Sequence, residues 1–105
     1  ADHGRIVTVS SSLGSLAKNT SGGLYAYRAS KAAVNAVMRS MALDLAGRGV
    51  TCAALHPGWV QTDMGGQDAT LTPADSVAGL IQVIDTLDAD SAGTLIDWRG
   101  RTLPW

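Results

Sequence analysis

The fold of this chain is decided by two neighbouring segments, YAYRASKAAVNAVMRSMALDLA at residues 25–46 and VTCAAL at residues 50–55. The first contains no Gly or Pro, is rich in Ala, Leu and Met, and stops at Gly47, a residue type favoured just beyond a helix end. It predicts a helix from Tyr25 to Ala46. The second has strand length and is almost uninterruptedly apolar, which is typical of a parallel strand covered on both faces.

Apolar residues spread around much of the circumference of this helix, so we expect a sheet to cover one side and something else to cover another. These residues are Ala29, Ala32, Ala33, Ala36, Val37, Met38, Met41, Ala42 and Leu45. In the apolar strand, the single cysteine, Cys52, is predicted to be a small buried hydrophobe rather than a reactive thiol.

The flanking segments predict two more strands and a second helix. Residues 5–10 form a β-branched run that predicts a strand, and residues 93–98 predict a last short strand. Thr72 and Pro73 suit the N-cap and first position of a helix, which we expect to run to about Leu87. Its apolar face would comprise Val77, Leu80, Ile81, Ile84 and Leu87.

Loops are predicted at residues 11–24 and 61–71, and the Gly65-Gly66 pair is expected to be a flexible point. The resulting order, β-α-β-α-β, predicts an α/β fold in which right-handed crossovers build a parallel sheet with helices packed on it. Three strands are few for such a sheet. We therefore expect the first strand to lack a neighbour.

Composition narrows the class of function. The 105 residues amount to one domain at most, and the net charge of -1 offers no basic field for a nucleic acid. No apolar run approaches the roughly 20 residues that span a bilayer. We expect a cytoplasmic protein that binds neither nucleic acid nor membranes. His56 has no Cys, His or carboxylate at ligand spacing, and Asp63 and Asp68 are isolated loop carboxylates, so no metal site is expected.

Three polar groups are expected to converge at the carboxyl ends of the strands, where open parallel sheets bind ligands. Serines occupy residues 10–12, Tyr27 and Lys31 lie early in the helix, and residues 57–62 follow the second strand. Tyr27 and Lys31 share a helix face, where the cation would favour the phenolate and let the tyrosine transfer protons. Taken alone, this common spacing favours an ordinary pair on a helix surface.

The order of these motifs resembles the short-chain dehydrogenase/reductase family over nearly the whole chain. The motifs are the serine cluster, a glycine-containing loop, Tyr-Arg-Ala-Ser-Lys-Ala-Ala at residues 27–33, and Pro-Gly-x-Val-x-Thr at residues 57–62. Within the family, residues 55–66, the loop at residues 19–23 and the Pro104-Trp105 ending look most like the sniffer-type carbonyl reductases and the C-factor proteins.

The resemblance implies a doubly wound, Rossmann-type sheet, with residues 1–105 as the C-terminal portion of a single NAD(P)-binding domain whose N-terminal half is missing. It also implies catalytic roles. Tyr27 would be the general acid or base, Lys31 would support it and bind the nicotinamide ribose, and Ser11 would bind the substrate oxygen. Ser10 and Ser12 remain alternatives to Ser11, and capping is the ordinary role of such serines.

The resemblance further places Pro57, Gly58, Val60 and Thr62 in a loop under the nicotinamide, although Pro-Gly also simply ends a strand. The walls of a substrate pocket would include Leu13, Trp59 and Met64. Trp59 equally fits a packed loop residue, and His56 is interpreted as structural because no other metal ligand or catalytic partner accompanies it.

The family's phosphate-binding pattern, Thr-Gly-x-x-x-Gly-x-Gly, is absent from the chain. We therefore expect the isolated chain to be inactive and the activity to belong to a longer parent. The implied cofactor is NADP or NAD, with NADP favoured by the subgroup, and the implied substrate is a small carbonyl compound or alcohol. A homo-oligomer through the residue 25–46 helix is expected. The alternative function is a non-catalytic interaction or signalling protein of the C-factor type.

Overall fold

A computed structural model describes residues 4–105 of the chain. Strands and helices alternate in the order β1 (Arg5–Val9), α1 (Tyr25–Leu45), β2 (Thr51–His56), α2 (Pro73–Thr86), β3 (Leu95–Asp97) and β4 (Thr102–Leu103). The predicted α/β class and the order of the first five elements are confirmed. The two-residue strand β4 was not predicted.

The four strands form one sheet in the order β1-β2-β3-β4. β1 is parallel to β2, with Val9 opposite Leu55, and β2 is parallel to β3, with His56 opposite Asp97. β4 runs antiparallel to β3. The carboxyl ends of β1, β2 and β3 therefore meet at one edge of the sheet. Within residues 4–105, no strand pairs with the other side of β1, in line with the expected missing neighbour.

The side chains of β2 alternate between two hydrophobic clusters, one on each face of the sheet. Towards α1, the cluster consists of Met38, Ala42, Cys52, Ala54 and Leu95. Towards α2, it consists of Ala53, Leu55, Leu80, Val83, Leu87 and Ile96. The prediction that this strand is covered on both faces is confirmed. Cys52 is fully buried, as predicted, and burial raises the pKa of its thiol.

The end of α1 differs from the prediction. The helix ends at Leu45 and tightens into a 3₁₀ turn over Ala46–Arg48, so Gly47 lies inside this turn. The left-handed residue that terminates the segment is Gly49, with a φ of 72°, and its N–H bonds to the Ala46 carbonyl. Gly47 and Gly49 are both of a residue type that can end a helix. Because the 3₁₀ turn includes Gly47, the segment ends at Gly49.

Only one side of α1 is covered by the described part of the chain. Asn35, Met38 and Ala42 are buried towards the sheet, whereas Val37 and Leu43 on the outer surface are 57% and 65% exposed. The expected sheet contact is present, and nothing within residues 4–105 supplies the expected second cover. No helix in this part of the chain combines the length and apolar character that crossing a membrane requires.

The buried face of α2 is rotated from the predicted one. Val83 is buried, whereas Val77 and Ile81 are half exposed. The rotation has two local causes. Ser76 is buried because its hydroxyl donates to the Pro57 carbonyl, and Gly79 lies so close to the Trp98 backbone that a Cβ there would overlap it. A polar residue and a glycine thus belong to the packed face, and the apolar pattern does not show them.

Candidate active site

A groove of about 830 Å³ opens at the carboxyl ends of β1 and β2. Its wall comes from the serine turn after β1, the start of α1, the loop after β2 and the first turns of α2. The predicted site residues in this wall are Ser11, Leu13, Tyr27, Pro57, Gly58, Trp59, Val60, Thr62 and Met64. Segments that are distant in sequence therefore meet in one concave surface, as predicted from the strand ends.

The three consecutive serines have different surroundings. Ser10 points beneath α1, where its hydroxyl donates to Asn35 Oδ1 at 2.6 Å. Ser11 and Ser12 line the groove, and the Ser12 N–H donates to Nδ1 of His56 at 3.1 Å. Ser11 caps the following 3₁₀ turn, with its Oγ accepting the Leu13 N–H at 3.0 Å. Because Oγ already accepts a hydrogen bond, the hydroxyl proton of Ser11 is available to a ligand oxygen.

Tyr27 lies in the first turn of α1 and lines the groove. Lys31 follows one helical turn later, with its Nζ 5.8 Å from the centroid of the Tyr27 ring. Lys31 is the only predicted site residue that is not part of the groove wall. The predicted pairing on one helix face is present, and the distance is within the range of a cation–π contact.

Arg28 anchors the start of α1 to the loop that precedes it. Its guanidinium donates to the carbonyls of Gly22 and Gly23 at 3.3 and 3.1 Å and reaches the Leu13 carbonyl at 3.5 Å. Leu24, immediately before the helix, adopts a left-handed conformation with a φ of 53°. The first turn of α1 is therefore held by side-chain contacts to the serine turn and the glycine loop.

The loop after β2 is shaped by close contacts. Gly58 has a φ of 85°, and a Cβ there would overlap the side chain of Leu71 and lie 3.0 Å from the ring of Trp98. The Pro57 carbonyl is held by the Ser76 hydroxyl at 2.7 Å. A Pro-Gly pair at this position therefore does more than end a strand, because its backbone is packed between α2 and the end of β3.

Gly65 makes close contacts within this loop, and the flexibility expected of the Gly65-Gly66 pair stays a prediction. Its N–H donates to Thr62 Oγ1 at 3.1 Å, and its carbonyl accepts the indole N–H of Trp59 at 2.8 Å. A Cβ at Gly65 would overlap the Val60 carbonyl. Trp59 is thus both a hydrogen-bonded loop residue and part of the groove wall, although it is 53% exposed.

His56 connects β2 to the serine turn. Burial lowers the pKa of its imidazole, Asp97 acts in the opposite direction, and Lys18 and Arg99 add smaller lowering effects. The neutral ring is the form in which Nδ1 can accept the Ser12 N–H. These contacts agree with the structural role predicted for His56, which also forms part of the groove wall.

Sequence reasoning missed several residues of the wall, mainly at the beginning of α2. They are Val9, Leu24, Pro73, Ser76, Val77 and Leu80. The predicted topology could have indicated that the first residues of α2 belong to the wall. A helix that follows a parallel strand begins near the carboxyl edge of the sheet, so its first turns lie next to any ligand bound there.

The composition of the wall suits an uncharged ligand group. Within the described part of the chain, the wall is mostly apolar and contains no Asp, Glu, Lys or Arg side chain. The hydroxyls of Ser11, Tyr27 and Thr62 are among its polar groups, and they can hydrogen-bond a carboxamide or a carbonyl group. The described wall contains no glycine-rich helix start of the kind that binds a pyrophosphate.

Comparison with known proteins decides the family. The family model for short chain dehydrogenases matches residues 1–71. The chain belongs to the short-chain dehydrogenase/reductase family. The chain is 54% identical over 101 residues to the C-signal of Myxococcus xanthus, an alignment that covers 96% of the chain and 61% of that relative.

Two solved structures share the fold of this short-chain dehydrogenase. The carbonyl reductase Sniffer of D. melanogaster is 42% identical with a TM-score of 0.94, over 98% of this chain and 43% of that one. The NADPH-bound carbonyl reductase from chicken fatty liver is 33% identical with a TM-score of 0.90, over 99% and 45%. The chain thus spans less than half of both solved relatives, and the partial Rossmann-type sheet is confirmed.

Proposed function

We propose that this protein is an NAD(P)(H)-dependent oxidoreductase that reduces a small carbonyl compound or oxidises the corresponding alcohol. The observation that carries the proposal is the presence of two hydroxyls, those of Ser11 and Tyr27, in one groove at the carboxyl edge of a parallel sheet. In this proposal, both hydroxyls act on the oxygen of one substrate. Membership in the short-chain dehydrogenase/reductase family supports the same reaction class.

In the reductive direction, Tyr27 transfers its phenolic proton to the substrate oxygen as the carbonyl becomes an alcohol. Ser11 donates a hydrogen bond to the same oxygen and stabilises the negative charge that grows there. Lys31 stabilises the phenolate that remains on Tyr27. A nicotinamide held in the groove would supply the hydride for the carbonyl carbon. In the oxidative direction, the phenolate of Tyr27 accepts the alcohol proton.

The residues proposed to hold the nicotinamide are Pro57, Gly58, Val60 and Thr62. Oγ1 of Thr62 accepts the Gly65 N–H, so its proton is available to a carboxamide oxygen. Either NADP or NAD satisfies this arrangement, because the two differ at a site remote from the nicotinamide. The NADPH-bound chicken relative supports NADP.

Replacement of Tyr27 by Phe tests the catalytic assignment in the complete reading frame that contains this chain. Only the hydroxyl is removed, so we expect the rate of carbonyl-dependent NADPH oxidation to fall by about 10²- to 10⁴-fold. The melting temperature should be unchanged. Tyr25→Phe is the matched control, because Tyr25 begins the same helix and is 87% exposed.

The Tyr25→Phe protein should retain the turnover of the unaltered protein. Equal turnover in the Tyr27→Phe and Tyr25→Phe proteins would show that Tyr27 is not the general acid.

A second candidate function is signalling, favoured by the 54% identity to the C-signal of Myxococcus xanthus. Such a role would depend on an exposed surface rather than on the groove. A cellular response to added protein that persists in the Tyr27→Phe variant, together with no turnover of any ketone or aldehyde by the unaltered protein, would favour signalling.

Oligomerisation through α1 and a cytoplasmic location stay predictions. The exposed Val37 and Leu43 give α1 an outer surface that a second copy could cover. The described residues include no helix that could span a membrane.

A further inference from the structure

A buried amide lies where α1 crosses the end of β1. Asn35 is 3% exposed, and its Oδ1 accepts the hydroxyl of Ser10 at 2.6 Å. Its Nδ2 has no hydrogen-bond partner within residues 4–105. A buried donor without a partner is costly, and an apolar side chain of similar shape would avoid this cost. The amide thus satisfies the buried Ser10 hydroxyl through Oδ1 and leaves Nδ2 without a partner in the described residues.

The amide lies on the part of α1 that faces the catalytic groups. Tyr27, Lys31 and Asn35 follow one another at intervals of four residues, which places them in a row along the helix. Ser10 immediately precedes Ser11 in the chain. The Ser10–Asn35 hydrogen bond thus joins the helix that carries the phenol to the strand end that carries the second hydroxyl.

Gly14 provides a second contact between the same two segments. It ends the 3₁₀ turn capped by Ser11, and a Cβ at Gly14 would lie 2.7 Å from the Lys31 carbonyl carbon and 2.9 Å from Asn35 Nδ2. The serine turn therefore rests directly on the helix next to the amide. The packing at Gly14 and the Ser10–Asn35 hydrogen bond are thus two contacts that join the serine turn to the helix.

We propose that Ser10 and Asn35 are positioning residues that set the distance between the Ser11 hydroxyl and the Tyr27 phenol. This inference rests on the proposed function, in which both hydroxyls act on one oxygen. Neither Ser10 nor Asn35 belongs to the groove wall, so they act through the groups they hold. A displacement of about 1 Å in an active site can lower a rate by about 10²-fold.

The double variant Ser10→Ala/Asn35→Leu separates positioning from stability. It removes the hydroxyl and the amide together, including the unpartnered Nδ2, and leucine keeps the branching at Cγ. Replacing both partners of a buried hydrogen bond by apolar groups can be nearly neutral for stability. In the complete reading frame, we expect an unchanged melting temperature, an unchanged KM for the carbonyl substrate, and a kcat lowered by roughly 10- to 100-fold.

Thr8→Val is the matched control. Thr8 lies on the same face of β1 and also contacts α1, with its hydroxyl 3.0 Å from the Met38 sulfur. Removal of this contact should leave kcat unchanged, because it lies farther from the serine turn. Ser10→Thr keeps the hydroxyl and should retain most of the activity that Ser10→Ala loses.

Amide hydrogen exchange supplies a readout that needs no turnover. The N–H groups of Ser12 and Leu13 donate to His56 Nδ1 and Ser11 Oγ, so their exchange reports the order of the serine turn. We expect exchange about tenfold faster in Ser10→Ala and in the double variant, and unchanged in Thr8→Val.

If amide exchange at Ser12 and Leu13 is unchanged in Ser10→Ala and in the double variant, the positioning role is overturned. An unchanged kcat in the double variant would also overturn it. If the unaltered protein shows no carbonyl-dependent turnover, the proposed function fails, and the exchange measurement still decides whether Ser10 and Asn35 order the serine turn.

Discussion

The carboxylate of Asp97 organises the turn between β3 and β4. Asp97 is fully buried, and its Oδ1 accepts the backbone N–H groups of Arg99 and Arg101 at 3.0 and 2.9 Å. Its Oδ2 accepts the guanidinium of Arg99 at 2.8 Å. Burial raises the pKa of Asp97, but the hydrogen bonds from Arg101 and Arg99 outweigh burial and hold the pKa below its ordinary value of 3.8.

This lowered pKa predicts a pH-dependent stability. As the pH falls, the unfolded chain takes up the proton before the folded protein does, so the contribution of Asp97 is complete above 3.8 and is lost below it. Asp97→Asn should lower the free energy of unfolding by about 1.5–3 kcal/mol at neutral pH. The loss should shrink near pH 3, as urea unfolding of both proteins can measure. Equal losses at both pH values would contradict the assignment.

Sequence patterns located the serine cluster but did not determine which hydroxyl enters the groove. Alternation along β1 turns Ser10 towards α1 and leaves Ser11 to the groove, and this outcome depends on which face of the sheet the helix covers. Asn35 was also visible in the sequence as a polar residue within an apolar helix. Its partner Ser10 lies 25 positions away, so the hydrogen bond could not be inferred from local spacing.

At the scale of the elements, the start of α1 contains an unfavourable conformation. Leu24 has a φ of 53° and a ψ of 42°, makes no side-chain cap, and is 59% exposed. A left-handed conformation is costly for leucine and much less so for asparagine. The glycines at positions 22 and 23 also have positive φ values, so the chain turns sharply into the helix.

Replacement of Leu24 by Asn should therefore raise the free energy of unfolding by about 0.5–1 kcal/mol, because the strain is relieved and little apolar surface is lost. Denaturant unfolding of the complete reading frame measures this change. Leu16→Asn is the matched control, since Leu16 is 80% exposed in the same loop and has no positive φ. A gain of equal size in the control would argue against strain at Leu24 as its cause.

Local patterns predicted the long elements and missed the features that depend on tertiary contacts. Helix α1 and strand β2 have strong, uninterrupted sequence signals, and both formed where expected. β4 has only two residues, and its pairing depends on the turn held by the buried Asp97. The packed face of α2 likewise depends on Ser76 and Gly79, whose contacts lie in distant segments.

At the scale of the whole molecule, the described residues form one wall of the site that we propose. The groove is bounded by the ends of β1 and β2, while Val9, at the end of β1, lines it and is 55% exposed. The two solved relatives are more than twice as long as the part that this chain matches. Family motifs predicted the groups that we propose for proton transfer and for holding the nicotinamide, because each motif is a short local pattern in the sequence. No motif in the sequence indicated which segment would bind the phosphates and the adenosine of the cofactor.

The composition of the groove predicts that residues 1–105 alone do not bind NADPH measurably. Its wall has no cationic side chain, and the chain lacks the glycine pattern that places a pyrophosphate on a helix start. A nicotinamide held from one side of an open groove leaves the phosphates and the adenosine without partners. Titration of NADPH fluorescence should show saturation with the complete reading frame and none with the isolated chain. Circular dichroism of the isolated chain provides the control for folding. Saturable binding at micromolar NADPH by the folded 105-residue chain would mean that its own surface anchors the phosphates.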